Sequence, residues 1–244
     1  MPFIFAHPAI VLPLAHLSKR WVSITGLVIG SLTPDFEYLT RMKIQSNFSH
    51  TLLGLMWFDL PMGLFLAFIF HDIIRNSLFA NLPKFLKSRF LIFSKFDWNN
   101  YFVKNWPVII ISILLGALSH LLWDAFTHDQ GYFVKILPSL TNTVYVYGYQ
   151  IFIYKILQHS SSLIGGLAII FVLFKLPKAS ETNLIISLRY WMAVLFITLS
   201  VVVIRFLWSH NISLNGNLIV TILSALILGL LFTPILTTRI NNWR

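Results

Sequence analysis

Three ionisable residues share one face of a predicted helix, because His120, Asp124 and His128 follow one another at intervals of four. Residues four apart lie along one side of an α-helix, about 6 Å from one to the next. Imidazole nitrogens and carboxylate oxygens are ligands of Zn²⁺ and similar divalent cations. The spacing also suits a structural hydrogen bond between His120 and Asp124, so the motif alone leaves both interpretations open.

Further polar residues stand near the ends of apolar segments. In segment 30–38, Pro34 disfavours a helical conformation at Thr33, which predicts a break and places Asp35 near the start of the next helix. His50 precedes a long apolar segment, and His7 lies directly before a proline. Each of these residues alone is also typical of a helix cap or a membrane boundary.

Composition indicates the membrane. The chain has 244 residues, of which 57% are hydrophobic and 11% charged, whereas soluble domains carry about 25% charged residues. Several apolar runs exceed the roughly 18 residues that mark a spanning helix. We therefore predict an all-α, polytopic transmembrane bundle of about six or seven membrane helices in a single domain, 1–244. The predicted helices cover about 9–17, 22–38, 52–70, 107–126, 163–174, 190–208 and 218–236.

Three smaller features refine this prediction. The positive charges follow the first apolar stretch, whereas a secretory signal carries them first, so we expect that stretch to belong to the mature fold. Tyr145, Tyr147 and Tyr149 alternate with other residues, as in a strand or in an aromatic belt at a membrane interface, and we favour the belt. Small residues at Gly26 and Gly30 predict close helix packing.

The net charge of +10 sets the orientation. No basic helix or RNA-binding motif accompanies the charge, so we predict no nucleic-acid partner and apply the positive-inside rule. Lys and Arg in segments 75–104 and 175–189 place both on the cytoplasmic side of a bacterial inner membrane, together with the C-terminus. Segment 209–217 and the polar residues described above then face outward. Arg41 and Lys43 fall in an outer loop, which counts against this threading.

The chain also resembles known families. Residues 1–9, segment 30–38, Ser49-His50-Thr51 and the His120–Asp124 motif together resemble a bacterial family of polytopic membrane proteins, domain of unknown function 4184. More distantly, the order of these motifs is similar to zinc-dependent phospholipase C, to the single-strand nucleases of the same helical fold, and to membrane-bound metal-dependent hydrolases.

The distant resemblance implies a phospholipase C-like helical core and a set of metal ligands. A late glutamate ligand follows the HxxxD motif in the phospholipases, but the only later glutamate here is Glu181, on the predicted cytoplasmic side. We therefore expect one or two metal ions rather than three. The ligands implied for one metal are Asp35, His50, His120 and Asp124, with His7 and His128 contributing to others and Glu37 or Asp129 assisting.

These observations predict a membrane-embedded, metal-dependent hydrolase that acts on a phosphoester or lipid-like substrate at the outer face. The absence of cysteine restricts a metal site to His and carboxylate ligands, and Zn²⁺ is the expected ion. Asp35 or Glu37 is the candidate general base if it is not a ligand. One alternative is a non-enzymatic protein that binds lipid or assists envelope biogenesis. Another is a transporter that uses Asp59 for proton coupling, although no internal repeat is evident.

Overall fold

The structure, a computed structural model, describes residues 4–18, 20–179, 187–208 and 215–241. In these ranges the chain is a helical bundle with one small two-stranded sheet, which confirms the predicted fold class. The α-helices are α1 Pro8–Val11, α2 Ile24–Gly30, α3 Thr33–Arg41, α4 Leu52–Gly54, α5 Leu60–Phe68, α6 Arg75–Asn81, α7 Lys84–Phe90, α8 Trp98–Thr127, α9 Tyr132–Ile136, α10 Pro138–Thr141, α11 Ile153–Lys175, α12 Leu188–Trp208 and α13 Asn215–Asn241.

Within the described ranges, five helical segments are long and apolar enough to cross a membrane, and Ile4–His16 is a shorter apolar helix. Short 3-10 segments at Ile4–Ala6, Leu12–His16 and Leu91–Phe93 complete the helical structure. The first long segment contains two π-helical turns, Leu55–Asp59 and Ile69–Ile74, and Asp59 is fully buried in the first of them. The five segments are Leu52–Asn81, Trp98–Ile136, Ile153–Lys175, Leu188–Trp208 and Gly216–Thr237.

The predicted span 22–38 is broken into α2 and α3. α2 ends at Gly30, and α3 begins at Thr33 with Pro34 and Asp35 in its first turn. Proline has no N–H to donate and fits the first turn of a helix, where that donor has no intrahelical partner. The break that Pro34 predicts is therefore present, and the segment is two short helices rather than one membrane span.

The chain forms two compact units. The first unit contains Met1–Asp35, Asn47–Leu64 and Asn105–Phe174. In it, α2 packs closely on α8, because a Cβ atom at Gly30 would collide with the Ile113 backbone and one at Gly116 with the Leu27 carbonyl. The backbone N–H of Ser23 donates a hydrogen bond to Ser112 Oγ in the same interface. The close packing predicted from the small residues of α2 is thus confirmed.

The first unit also carries the sheet, a hairpin of β1 Thr143–Val146 and β2 Tyr149–Phe152. Its two turn residues, Tyr147 and Gly148, have positive φ angles of 48° and 82°, as in the tight turns that match strand twist. The strand interpretation of the alternating tyrosines is therefore confirmed, and their place in an aromatic belt at a membrane interface stays a prediction.

The second unit contains Phe36–Ser46, Phe65–Lys104 and Lys175–Arg244. Its most extensive helix–helix interface joins α12 to α13. There Thr198 Oγ1 donates to the carbonyls of Val194 and Ala225. Ser224 Oγ of α13 donates to the Leu39 carbonyl. Several sequence predictions lie outside the described residues: those on Lys19, Glu181, positions 209–214 and Arg244.

Candidate metal centre

Five of the residues singled out in the sequence converge in the first unit. They form two overlapping groups, each with ligand atoms within 4.8 Å of one another. His120 belongs to both groups. The groups are His7, Asp35 and His120, and His50, His120 and Asp124.

Local structure brings these residues together from four parts of the chain. His7 is the residue before α1, and Asp35 lies in the first turn of α3. His50 lies in the turn that leads into α4, while His120 and Asp124 are one turn apart on α8. The close approach of α2 to α8 at its glycines carries the chain after α2 directly to the buried histidine of α8.

A backbone carbonyl orients the central histidine. His120 Nδ1 lies 2.8 Å from the carbonyl oxygen of Ser31. Because a carbonyl only accepts, Nδ1–H donates this hydrogen bond, and Nε2 of the neutral ring carries the lone pair. Nε2 lies 3.4 Å from Asp124 Oδ2 and 3.8 Å from Asp35 Oδ1. Metal-binding histidines are commonly oriented in this way, with the second ring nitrogen donating to a carbonyl or carboxylate.

The separations between the converging atoms suit a shared cation better than direct hydrogen bonds. His50 Nε2 lies 3.6 Å from Asp124 Oδ2 and 3.8 Å from Asp35 Oδ1, and His7 Nε2 lies 3.9 Å from Asp124 Oδ1. Nitrogen–oxygen hydrogen bonds are usually about 2.7–3.2 Å long. In a tetrahedral zinc site with bonds of about 2.1 Å, neighbouring ligand atoms are about 3.4 Å apart.

Several buried polar atoms in the centre lack a hydrogen-bond partner among the residues that the structure describes. They include both ring nitrogens of His7 and Nε2 of His120. Leaving such groups unsatisfied costs about 1–3 kcal/mol each. A divalent cation bound between them would satisfy nitrogen and oxygen atoms together, so the donor set fits a metal ion.

Burial also alters the pKa values of two ligand candidates that lie outside the five long apolar helices, His7 and Asp35. It lowers the pKa of His7 to about 3 and raises the pKa of Asp35. His7 is therefore neutral at physiological pH, which is the protonation state that binds metal. The raised pKa of Asp35 reflects the cost of an anion in this enclosure, which a bound cation would offset.

His128 is held differently, because both of its ring nitrogens make hydrogen bonds. Lys155 Nζ donates to Gln158 Oε1 at 3.2 Å, which identifies the other terminal atom of that amide as the nitrogen donor. This nitrogen lies 3.2 Å from His128 Nε2 and donates to it. His128 Nδ1 then carries the proton and faces Thr127 Oγ1 at 3.3 Å and Asp124 Oδ1 at 3.2 Å. His128 therefore contacts the centre through Asp124, whose carboxylate lies beside its protonated Nδ1.

The centre is closed on one side and partly open on the other. The side chains of His7 and His120 are 1% and 0% exposed. Those of His50 and His128 are 21% and 31% exposed. A small molecule would therefore reach the centre from the side of His50 and His128.

Two other acidic candidates have different partners. Glu37 is buried, and its carboxylate accepts hydrogen bonds from Arg41 Nε at 3.0 Å and from Ser46 Oγ at 3.0 Å. Asp129 is exposed and accepts a hydrogen bond from the backbone of Gln130. Neither residue belongs to the two converging groups. The catalytic role considered for Glu37 stays a prediction.

Sequence reasoning missed two residues that orient the centre. The Ser31 carbonyl carries no side-chain signal, and only the packing of α2 on α8 brings it to His120. Gln158 did offer a signal, since it is a polar residue near the start of an apolar helix and is 1% exposed.

Comparison with known proteins gives one match. A family model described as "Domain of unknown function (DUF4184)" matches residues 1–235. No curated protein and no solved structure matches the chain. The family predicted from the opening residues and the His and Asp motifs is therefore confirmed.

Proposed function

The chain belongs to this family of unknown function, and we propose that it is a membrane-embedded, metal-dependent hydrolase that cleaves a phosphoester of a lipid-like substrate. The site lies at the outer face of a bacterial inner membrane, with the C-terminus in the cytoplasm. The activity, the metal and the location are all parts of the proposal.

One observation carries the proposal. Histidine and aspartate side chains from four separate parts of the chain meet at nitrogen–oxygen distances of 3.4–3.9 Å, with buried nitrogens that have no protein partner among the described residues. Imidazole and carboxylate ligands in this number favour one or two divalent ions, and Zn²⁺ suits the set best. The apolar helices around the site favour a substrate with a lipid portion.

Different residues of the centre have different roles in the proposed reaction. A divalent ion would be held by His50, His120 and Asp124, with His7 and Asp35 grouped on the other side of His120. It would supply Lewis acidity toward a phosphoryl oxygen. Asp35 either completes the ligand set or accepts the proton of the attacking water. The partly exposed edge at His50 and His128 admits the phosphoester, while the buried imidazoles of His7 and His120 keep bulk water from the closed side.

The first test is the metal content of the purified, detergent-solubilised protein, measured by inductively coupled plasma mass spectrometry. We expect stoichiometric Zn²⁺ or Mn²⁺ in the wild type and its loss in His120→Ala. His159→Ala is the matched control, because His159 is an exposed histidine on α11 outside both groups. Absence of stoichiometric metal in the wild type, or equal metal in wild type and His120→Ala, would contradict the proposal.

The same preparations test the reaction. We expect metal-dependent hydrolysis of bis(p-nitrophenyl) phosphate, and a decrease of at least about 100-fold in Asp35→Asn. Retained metal in Asp35→Asn would assign the residue as the base, and lost metal would assign it as a ligand. Bound metal without hydrolysis of this diester or of phospholipid would retain the metal site and refute the hydrolase.

The competing interpretation is a non-enzymatic protein in which the same residues form a structural hydrogen-bond network and the chain binds lipid or assists envelope biogenesis. Its network would require direct hydrogen bonds between the side chains. The separations of 3.6–3.9 Å that involve His7 and His50 disfavour this interpretation.

A further inference from the structure

The hairpin β1–β2 stands in a segment without charge. Between Lys135 and Lys155 the sequence contains no Asp, Glu, Lys, Arg or His. This segment joins the two apolar helices Trp98–Ile136 and Ile153–Lys175, each long enough to cross a membrane. Both ends of the hairpin are therefore tied to membrane segments, and its own composition is unlike that of a water-exposed loop.

The strand register shows what the hairpin presents on each face. Thr143 pairs with Phe152 and Tyr145 with Gln150, so these four side chains share one face. The opposite face consists of Val144, Val146, Tyr149 and Ile151. That face has no polar side chain other than a tyrosine hydroxyl, yet three of its four residues are exposed.

An isolated two-stranded hairpin is only marginally stable in water. The face of this hairpin that carries Val144, Val146, Tyr149 and Ile151 also exposes apolar surface, and burying that surface away from water is favourable. The tip is the most exposed part, since Tyr147 is 98% accessible. Tyrosine at such a position is typical of the headgroup layer of a bilayer, where the ring is apolar and the hydroxyl stays hydrated.

We propose that the hairpin Thr143–Phe152 inserts its tip into the lipid headgroup layer beside the metal centre and contacts phospholipid directly. Continuity with two membrane helices, the uncharged segment and the three tyrosines carry this assignment. The exposed faces of the hairpin are covered by lipid headgroups of the membrane that the two flanking helices cross. α11 begins directly after β2, and its Gln158 binds His128, so the hairpin and the centre share one end of the first unit.

The chain contains no cysteine, so one introduced thiol gives a unique spin label. We would place it at Tyr147→Cys, reconstitute the protein in phosphatidylcholine vesicles, and measure the accessibility of the nitroxide to oxygen and to a water-soluble nickel chelate. Leu163→Cys, exposed within an apolar helix, is the reference for the bilayer. Lys43→Cys, exposed in the loop after α3, is the reference for water.

We expect the label at position 147 to give a ratio of oxygen to nickel accessibility between those of positions 163 and 43, as in the headgroup layer. A label at Tyr149→Cys, in regular strand, repeats the measurement away from the strained turn. Accessibility to nickel like that of position 43 would overturn the proposal, as would a label shielded from both reagents, which would indicate a protein contact. The readout needs neither metal nor activity, so its result stands apart from the fate of the proposed hydrolase.

Discussion

His120 and His128 differ in their hydrogen bonds, and the difference indicates a different role for each. His120 donates through Nδ1 to a carbonyl and directs Nε2, the nitrogen that binds a metal when the ring is neutral, at two carboxylates. His128 uses both nitrogens for hydrogen bonds with Gln158 and Thr127. His120 is therefore suited to bind a metal, whereas His128 is suited to hold Asp124 in place.

We predict unequal effects from replacing these two histidines. His120→Ala should abolish stoichiometric binding of Zn²⁺, because the shared ligand of both groups is lost. His128→Ala should keep the stoichiometry and weaken the affinity by about 10- to 100-fold, as loss of a residue that orients a ligand does. Competition with a chelating dye measures both. Equal loss of metal in the two variants would make His128 a ligand instead.

At the scale of single residues, the sequence predicts which residues form the centre but not which hydrogen-bond partners orient them. Spacing and flanking motifs identify His7, Asp35, His50, His120 and Asp124, all of which converge. Two hydrogen bonds link residues 89 and 30 positions apart, Ser31 to His120 and His128 to Gln158. No local pattern encodes such pairs, because they depend on which helices pack together.

The decisive element is the contact between α2 and α8, where glycines allow two backbones to meet. A Cβ at Gly116 would fall against the Leu27 carbonyl and the backbone nitrogen of Ser31. Gly116 lies one turn before His120 on the same helix. The spacing of these helices therefore also sets the hydrogen bond from His120 to the Ser31 carbonyl.

We predict that Gly116→Ala will destabilise the protein by about 1–3 kcal/mol, the usual range for overpacking a tight interface. It should also weaken metal binding, because the added methyl group pushes Ser31 away from His120. Gly166→Ala is the matched control, since a Cβ there meets nothing within 4 Å; its stability should change by less than about 1 kcal/mol. Denaturant unfolding in detergent and zinc titration would compare the two variants. A Gly116→Ala protein with wild-type stability and affinity would contradict this role of the interface.

Elements differ in how far sequence predicts them. Pro34 and the glycines of α2 indicate the break and the close packing correctly, because each acts through local geometry or residue size. The hairpin was harder to predict. Alternating tyrosines and valines suit both a strand and a membrane interface, and only the paired backbone, with two positive φ angles at its turn, distinguishes the strand.

For the whole molecule, the order of the membrane crossings determines which residues of the metal centre lie at the same side of the membrane. The loop that carries Lys43 and the loop that carries Lys95 flank the segment Leu52–Asn81, so one crossing separates them. The next segment, Trp98–Ile136, returns to the first face, where the Asp124 end of α8 and the hairpin lie. This alternation places His50 and Asp124 at the same face for either orientation of the chain. Composition and apolar runs predict this arrangement well, since length and hydropathy alone define a crossing.

The orientation itself rests on charge. By the positive-inside rule we expect the basic residues at positions 75–104 and 175–189 to face the cytoplasm, which would make the opposite face, with the centre, the outer one. We predict that in intact cells an impermeant maleimide will label Lys43→Cys but not Lys95→Cys, and that permeabilisation will expose the second site. The parent chain has no cysteine and gives the background. The reverse pattern would put the centre at the cytoplasmic face, where it would act on lipids of the inner leaflet. Labelling of both positions in intact cells would mean that Leu52–Asn81 does not cross the membrane.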